Sequence, residues 1–440
     1  MSLTKTVGIV AATTFASLAM GAVETSNDTL AQIAELKAEL ATLKAQNGDQ
    51  WLTEQRASEI RGIVQDVLAD SETRQSLQAS GATSGYNGGF FIGSADGNNS
   101  LKINILEQVR WTYNNRSGIT GGNGNGDSTW GFENKRTRFT FSGNVVDSTW
   151  TYNFSTYFAY DDNTEFTGSL ANAFVDKDFG NGFSLTAGQF QDPSGMEQSI
   201  DAGNLQFIER STVSYIFNLG YTQGAMVNYS SDMFRLSATY NNGESTANGS
   251  WGAGSPTSEW AFASRFEVKC AGNWDQFADQ QSWRGEEAGF LVGAGLAWAQ
   301  SNDGLDTDTY TFTVDGTYDF GGGNIAGAFF YSDDSAASNN PTGYTVGGGF
   351  FVSDDMELVA RYEFADMDTG GTDDTMSNAL VGWNWYFSKN VAKLNTSFGY
   401  AFDSLNNVSF SAPGAQSNWL QDATGEDGQW TLQAQLSFSF

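Results

Sequence analysis

Histidine is absent from the 440 residues, and cysteine occurs once, as Cys270. Without histidine, catalysis by Ser-His or Cys-His pairs is excluded, and so are metal sites built on imidazole. One cysteine cannot form an intrachain disulfide bond, and we expect Cys270 to be a small buried side chain. A hydrolase would have to use carboxylate pairs such as Asp161-Asp162, which are more simply solvated loop charges. We therefore expect neither an enzyme nor a bound metal or cofactor.

Charged residues are scarce, at 16 % of the chain, where about 25 % is usual. Acidic residues outnumber basic residues by 51 to 21, and the net charge is −30. This charge argues against nucleic acid as a partner and against electrostatic binding to an anionic membrane surface. Proline is rare, with four residues, whereas glycine (51 residues) and aromatic residues (14 %) are abundant. Such a composition is typical of a long β protein with polar loops.

The first residues resemble a signal peptide. Lys5 supplies a positive charge, and residues 7–19 form an apolar core that is too short to span a bilayer. Residues 19–21 (Ala-Met-Gly) form an acceptable cleavage site, so residues 1–21 are the predicted signal peptide. No later stretch reaches the roughly 18 apolar residues of a transmembrane helix. We expect an exported protein that could enter a membrane only through β-strands.

Residues 22–85 have a helical period and form the predicted periplasmic helical or coiled-coil segment. The apolar residues of its first part follow the spacing of a coiled-coil seam: Ile33, Leu36, Leu40 and Leu43. A second helix is expected from Thr53, a plausible N-cap, with Ile60, Val64 and Val67 on one face. Helices this short need a partner for that face. The partner is either the same helix of neighbouring subunits, in a trimeric stalk, or the other helix of a hairpin.

From residue 86 to the end the hydrophobic period is two. The last strand shows the alternation clearly, with polar residues between Trp430, Leu432, Ala434, Leu436, Phe438 and Phe440. A soluble sandwich would bury the apolar face, whereas a membrane barrel turns it to lipid and the polar face to an aqueous lumen. Aromatic residues at both ends of the runs, such as Trp150 and Tyr160, and polar faces with little lysine favour the barrel.

Segmentation of residues 86–440 predicts an all-β membrane protein, a sixteen-stranded antiparallel transmembrane β-barrel. The strands are expected near residues 101–113, 131–143, 149–160, 168–178, 183–190, 215–229, 233–241, 257–269, 286–300, 307–320, 324–332, 342–352, 356–366, 375–388, 391–402 and 429–440. An even number leaves both chain ends in the periplasm, and sixteen strands enclose an aqueous channel. Short turns alternate with long outward loops, except that residues 270–285 are long for a periplasmic turn and could be wrongly segmented.

Phe440 is the last residue of an amphipathic strand. A final aromatic residue in this position resembles the C-terminal signal by which outer-membrane barrels are recognised for assembly. We therefore expect Phe440 to be an assembly signal and the barrel-assembly machinery to be a partner, with outer-membrane lipid around the finished barrel.

Two short runs after the fifth predicted strand resemble the O/P family of outer-membrane porins, the phosphate-selective porin type. The first run comprises Gly188, Gln189, Phe190, Pro193, Gly195 and Glu197, and the second comprises Phe207, Ile208, Glu209, Arg210 and Ser211. The basic strand Lys135, Arg136, Thr137 and Arg138 is similar to that family as well. The resemblance implies a homotrimeric sixteen-strand porin whose third outward loop folds into the lumen and narrows it.

Charged residues of this loop and of the second strand are the candidate site. The loop carries Glu197, Asp201, Glu209 and Arg210, which a loop inside a barrel would place in the path of permeating ions. Arg136 and Arg138 share the face of their strand that carries Thr140 and Ser142, so they should point into the lumen. Opposed to an acidic loop, they would create a transverse field, or they would simply neutralise loop carboxylates. Glu209 and Arg210 could also form a local ion pair that pins the loop to the wall.

Together these features predict a passive outer-membrane diffusion channel for ions and small hydrophilic solutes. Acidic loops, for example Asp333-Asp334 and Asp373-Asp374, attract cations and repel phosphate, so we expect a mild cation preference rather than phosphate selectivity. One alternative is a substrate-specific anion channel for phosphate or polyphosphate. Another is a barrel that anchors the outer membrane to the cell wall through helices that bind peptidoglycan.

Overall fold

The computed structural model describes residues 34–35, 37–39, 41–42, 82–118, 127–160, 166–243, 248, 258–301, 308–335, 339–371, 373–407, 409–410, 419–423 and 425–440. The chain divides into two compact units, Met1–Ser80 and Gly81–Phe440. The described residues of the first unit are helical, and the Thr42 hydroxyl donates to the carbonyl of Ala38 at 2.8 Å. The predicted signal peptide, coiled-coil seam and second helix lie outside the described residues. No helix within the described ranges is long and apolar enough to cross a bilayer.

The described part of the second unit contains eighteen strands. They are β1 (Thr83–Tyr86), β2 (Phe90–Gly93), β3 (Ser100–Asn115), β4 (Ser128–Val145), β5 (Asp147–Tyr160), β6 (Phe166–Gly180), β7 (Phe183–Gln191), β8 (Tyr221–Ser230), β9 (Phe234–Asn241), β10 (Ser258–Ala271), β11 (Gly289–Ser301), β12 (Asp308–Asp319), β13 (Gly323–Asp334), β14 (Thr342–Phe351), β15 (Met356–Asp366), β16 (Thr375–Ser388), β17 (Ala392–Ala401) and β18 (Trp430–Ser439). Strands β3 to β18 each pair antiparallel with the next, and β18 pairs with β3. The prediction of a closed sixteen-strand barrel is confirmed.

One predicted strand begins too early. Two short helices, α1 (Met196–Ser199) and α2 (Thr212–Ile216), lie between β7 and β8, and α2 occupies the start of the strand predicted at 215–229. Ser211 caps α2, since its hydroxyl accepts a hydrogen bond from the Ser214 amide at 3.0 Å. Residues 212–216 also fit an alternating strand pattern, so periodicity alone could not separate the two structures, and the cap favours the helix.

The hairpin of β1 and β2 precedes the barrel and was not predicted. Strand β2 pairs with residues 100–103 of β3, and β18 pairs with β3 from Leu106 onward. Phe440 lies between these two pairings, where its amide donates to Ile105 at 3.0 Å and its carbonyl accepts from Ile105 at 2.7 Å. The hairpin therefore satisfies the edge of β3 that the last strand leaves unpaired.

The distribution of polarity across the wall is inverted relative to a soluble protein. On β18 the side chains of Leu432 and Leu436 are 43 % and 37 % exposed, whereas those of Gln433 and Gln435 are 3 % and 2 % exposed. The same holds on β12, where Phe312 and Val314 face outward and threonines face inward. An apolar outside around a polar inside is the pattern of a transmembrane barrel, and a soluble sandwich is excluded.

Exposed aromatic residues mark both ends of the barrel. Those toward the turns include Phe183, Phe320, Phe350, Trp385 and Phe387, and those toward the loops include Trp130, Tyr240, Tyr310, Tyr344 and Phe402.

The expectation for Cys270 was wrong, since the thiol is exposed. Cys270 shares the outward face of β10 with Phe266 and Val268. Side chains on this face of a membrane barrel contact lipid, so a small apolar side chain can lie there without being buried in protein.

The connections divide the barrel into a loop end and a turn end. Residues 181–182, 231–233, 320–322 and 352–355 are short turns at the end where Phe440 lies, and residues 192–220 and 402–429 are long loops at the other end. The long connection 272–288, whose segmentation was doubtful, does lie at the turn end, between β10 and β11. The connection is therefore truly long, and no strand was missed within it.

Leu436→Arg tests the lipid-facing assignment. A charge near the middle of the outward face of β18 should lower the free energy of unfolding in lipid vesicles by about 2–4 kcal/mol. Leu436→Ala removes the same side chain without adding charge and is the matched control. Equal losses for both variants would show that this face does not contact hydrocarbon. Denaturant titration of vesicle-inserted protein, followed by tryptophan fluorescence, gives both values.

Candidate functional site

The connection between β7 and β8, residues 192–220, lies inside the barrel and is here called the lumen loop. Its backbone carbonyls accept hydrogen bonds from side chains of widely separated strands. Gln108 of β3 donates to Ala202 at 3.1 Å, Arg265 of β10 donates to Ser194 at 3.2 Å, and Lys393 of β17 donates to Leu205 at 2.7 Å. A segment that touches strands around the whole ring must cross the lumen.

Local capping gives the lumen loop a fixed shape. The Asp201 carboxylate accepts from the Gly203 amide at 2.8 Å and starts a single helical turn, and Ser211 caps α2. Buried apolar side chains, such as Leu205, Ile208 and Val213, then hold the loop against the wall. Caps and small apolar anchors replace the regular hydrogen bonding that a strand would have provided.

Glu209 is the centre of the contact between the lumen loop and the wall. Its side chain is 1 % exposed and forms ion pairs with Arg136 at 2.5 Å and with Arg110 at 3.2 Å. Arg110 also donates to Gln435 of β18 and to the carbonyl of Ile208. Burial alone would raise the pKa of Glu209, but Arg136, Arg110 and Lys135 stabilise the anion more strongly and hold its pKa at about 2. The carboxylate is therefore ionised at neutral pH.

Asp201 and Arg138 form a second, more open contact. Their side chains meet at 2.6 Å, and the Asp201 side chain is 44 % exposed. Burial opposes ionisation of Asp201, yet the Arg138 charge and the Gly203 amide keep its pKa below the ordinary value. Arg136 and Arg138 thus face the lumen at contact distance from loop carboxylates, which is the geometry of neutralisation rather than of opposed charges across a gap.

Glu197 and Arg210 stabilise the lumen loop internally. The Glu197 carboxylate accepts from the amide and hydroxyl of Ser211, and from Arg361 of β15 at 3.4 Å. Arg210 donates to the backbone carbonyls of Glu197, at 3.0 Å, and of Ile200. The alternative of a local Glu209-Arg210 pair was wrong, because the two side chains have different partners.

Four basic wall residues that contact the lumen loop were missed in the sequence: Arg110, Arg265, Arg361 and Lys393. Arg361 donates to the carbonyl of Glu209 at 2.9 Å and lies 4.5 Å from the centre of the Phe207 ring. Arg265 makes two 2.8 Å bonds to Asp315 of β12 while it holds Ser194. A signal was present, since each is an isolated basic residue at an inward position of an alternating strand.

An apolar cluster fills part of the loop end of the barrel. Val213 and Phe217 of the lumen loop pack with Leu405, Phe410 and Trp419 of the last loop. The wall contributes Phe330, Ala365, Met376, Leu380 and Ala401. These wall residues belong to β13, β15, β16 and β17, so side chains fill the lumen beside this sector of the wall.

A cavity of about 390 Å³ adjoins the lumen loop on the side toward the turn end. Its charged lining consists of Glu197, Asp201, Glu267, Asp279 and Asp319 with Arg235 and Arg361. Burial raises the pKa of Asp279 to about 7, so its charge is partial at neutral pH. Carboxylates still outnumber guanidinium groups. In the described ranges no three potential metal ligands of the Cys, Asp or Glu type are grouped to hold an ion.

Glu209→Gln tests the buried contact. The substitution leaves Arg136 buried without a counter-ion and leaves Arg110 only the half-exposed carboxylate of Glu133 at 4.0 Å. We expect a loss of about 3–5 kcal/mol in the free energy of unfolding. Asp201→Asn breaks the more exposed pair and serves as control, with an expected loss of about 0–1 kcal/mol. Comparable losses in denaturant unfolding would contradict the central position of Glu209.

The same contact sets a pH dependence. The pKa of Glu209 in the folded protein is about 2, below its ordinary value of 4.5, so ionisation of this group stabilises the fold above pH 4.5. The stabilisation is lost as the pH falls from there through about 2. Unfolding titrations should show a steeper decline for the wild type than for Glu209→Gln in this window. Parallel curves would mean that Glu209 titrates normally.

Comparison with known proteins agrees with this architecture. The sequence profile described as phosphate-selective porin O and P matches residues 103–331, just over half of the chain. No protein of curated function matches the sequence. The similar solved structures have low sequence identity and establish the fold alone.

Three of these structures are porins or outer-membrane proteins. The anion-selective porin from Comamonas acidovorans is 14 % identical, with a TM-score of 0.54 over 78 % of this chain and 100 % of that chain. OmpF of Salmonella typhi, in complex with daunomycin, is 12 % identical, with a TM-score of 0.52 over 81 % and 100 %. The trimer form of OmpT from Vibrio cholerae is 14 % identical, with a TM-score of 0.50 over 77 % and 99 %. By its matched sequence and its sixteen-strand barrel, the chain belongs to the phosphate-selective porin O and P family of outer-membrane channels.

Proposed function

We propose that this channel allows passive diffusion of ions and small hydrophilic solutes and that the lumen loop is its constriction. A sixteen-strand barrel without a loop inside would leave a wide aqueous channel. The observation that carries the proposal is the anchoring of the lumen loop across that channel through Glu209, Arg110 and Arg136. Solutes must then pass beside a rigid, charged segment, and pore radius and lumenal charge select among them.

A mild cation preference is proposed for the pore. The cavity beside the lumen loop has more carboxylates than guanidinium groups, and the whole chain has a net charge of −30. The lumenal arginines at the constriction have carboxylate partners, which reduces their attraction for anions. Arg138 contacts Asp201, and Arg265 contacts Asp315 and Glu267. Unbalanced acidic groups would raise the local concentration of cations.

An anion channel for phosphate or polyphosphate is the second candidate. Arg110, Lys135 and Arg136 surround the carboxylate of Glu209, and a second carboxylate, Glu133, lies 4.0 Å from Arg110. Three positive charges thus meet two negative charges, so this part of the wall carries excess positive charge. The family profile is that of phosphate-selective porins, and one fold neighbour is described as anion-selective. For this candidate, the positive charge near β3 and β4 would determine the ion selectivity of the pore despite the acidic residues elsewhere in the lumen.

Reversal potential in a KCl gradient across a planar bilayer separates the two candidates. We expect ohmic conductance, a potential on the cation side and no block by added phosphate. Arg136→Gln should increase the cation preference, because it removes a positive charge from the constriction. Lys177→Gln removes a positive charge from the outward face of β6, beside Trp150 and outside the lumen, and is the control. An anion-side potential with block by phosphate would replace the first candidate by the second, and silent, correctly folded protein would contradict both.

We also propose a homotrimer whose residues 22–85 lie in the periplasm. One fold neighbour, OmpT of Vibrio cholerae, was solved in a trimer form. The predicted coiled-coil seam would suit a trimeric stalk, and such helices could tether the outer membrane to peptidoglycan. Cosedimentation of the full chain and of a variant without residues 22–80 with cell-wall material tests the tether. Equal retention of both proteins would exclude it.

Phe440 is proposed as the signal for the barrel-assembly machinery. Deletion of Phe440 should reduce the amount of assembled barrel in the outer membrane, because the recognised terminal aromatic is lost. Refolding of the same variant into detergent micelles should be nearly unaffected, since its backbone bonds to Ile105 are only two of the bonds that close the barrel. Heat-modifiability on gels reports both quantities. Normal assembly in cells would contradict the proposal, and failure in both settings would indicate a structural role instead.

A further inference from the structure

The long turn, residues 272–288, is unusual among the connections at its end of the barrel. It joins β10 to β11 and contains a single helical turn, Asp275–Ala278. Gly272 starts it with a φ of +82°, and a Cβ atom there would lie 2.1 Å from the Gln276 side chain. Glycine at this position thus allows the chain to change direction and leaves room for the Gln276 side chain to pack against the Gly272 backbone.

The long turn folds into the lumen and meets the lumen loop. The amide of Gln280 donates to the carbonyl of Asn204 at 3.2 Å, and its side-chain oxygen accepts from the amide of Gln206 at 2.8 Å. The Asn204 side chain donates to the carbonyl of Ala278 at 3.2 Å. On the wall, Asn324 of β13 donates to the carbonyl of Gln280 at 2.7 Å. Two connections from opposite ends of the barrel are therefore joined inside it.

An aromatic anchor holds the long turn in this position. The ring of Trp283 is buried, with its centre 5.2 Å from that of Phe351 and 4.9 Å from that of Tyr386. Its indole nitrogen donates to Asp279 at 3.1 Å, and Asn390 donates to the same carboxylate at 3.1 Å. Buried aromatic packing together with satisfied polar groups is typical of a fixed element.

The cavity of about 390 Å³ is enclosed between these two segments. Phe277, Ala278, Asp279 and Gln280 line it from the long turn, and the lumen loop lines it with residues that include Glu197 and Asp201. Glu267 of β10 and Asp319 of β12 contribute carboxylates from the wall. A solute that passes the lumen loop on this side meets the long turn next.

The positive charges of this chamber are largely engaged. Arg361 forms ion pairs with Glu363 at 2.7 Å and with Glu197 at 3.4 Å. Arg235 lies 4.0 Å above the ring of Trp274, which belongs to the long turn. Three lining carboxylates are paired as well, Glu197 with Arg361, Asp201 with Arg138 and Glu267 with Arg265. Five carboxylates nevertheless line the chamber against two guanidinium groups, so it keeps an excess of negative charge, and low-dielectric walls strengthen the effect of that charge on ions.

We infer that the long turn is a second constriction, in series with the lumen loop, and that the two enclose an acidic chamber selective for small hydrated cations. The inference rests on the proposed diffusion function and adds a second element that determines which solutes pass. Cation preference then arises mainly below the lumen loop, and the basic wall at Glu209 partly opposes it.

A variant in which residues 275–284 are replaced by two glycines tests the inference. Removal of the inserted segment should raise single-channel conductance about twofold, as for a pore whose narrow section is widened, and should weaken the cation preference. Asp232→Asn, in the exposed short turn 231–233 at the same end, is the control and should leave both unchanged. Unaltered conductance and selectivity in the shortened variant would overturn the inference.

Gln280→Arg provides a test that leaves the backbone intact and decides the matter if the shortened variant does not assemble. A cation in the chamber should shift the reversal potential toward anions, whereas Asn181→Arg, in an exposed turn outside the lumen, should not. Equal potentials for the two variants would refute the acidic chamber. A wild-type protein that is silent in the bilayer contradicts the proposed function itself, so the two failures are distinguishable.

Discussion

The architecture follows from the requirement that no backbone polar group remain unpaired in hydrocarbon. Strands satisfy this requirement only when the sheet closes, which here depends on the pairing of β18 with β3. Closure leaves the outward side chains in lipid and places most of the polar side chains of the wall inside. The polar interior is thus a by-product of membrane insertion, and it provides the guanidinium and amide groups that hold two connections within the lumen.

Those inserted segments show how charge is managed in a confined space. Arg110, Arg136 and Arg361 would be costly to bury alone, but each has a carboxylate and a backbone carbonyl or amide oxygen within reach. The partners come from the wall and from the lumen loop, so the loop is positioned by the charges that it neutralises. Structural anchoring and electrostatic tuning of the pore are consequently properties of the same residues.

Much of this fold could be predicted from the sequence, because a period of two is a local signal that sixteen strands repeat. The lumen loop was identified by its charges and its family resemblance, and Arg136 and Arg138 by simple alternation. The partners could not be predicted, since the pairing of Arg110 with Glu209 depends on strand register and on the path of the loop across the barrel. The inward fold of residues 272–288 was missed for the same reason, because it depends on contacts with Asn204 and Asn324, which are distant from this segment in sequence.

The meeting of Phe440 with Ile105 has a consequence for biogenesis. The first barrel strand acquires its final neighbour only when the last strand arrives, so the contact that completes the ring joins almost opposite ends of the translated barrel. Loop-closure entropy makes such distant pairings late events in folding. Until then the edges of β3 and the growing sheet are open templates for other chains. Until β18 reaches β3, therefore, the unclosed sheet is exposed to pairing with other chains.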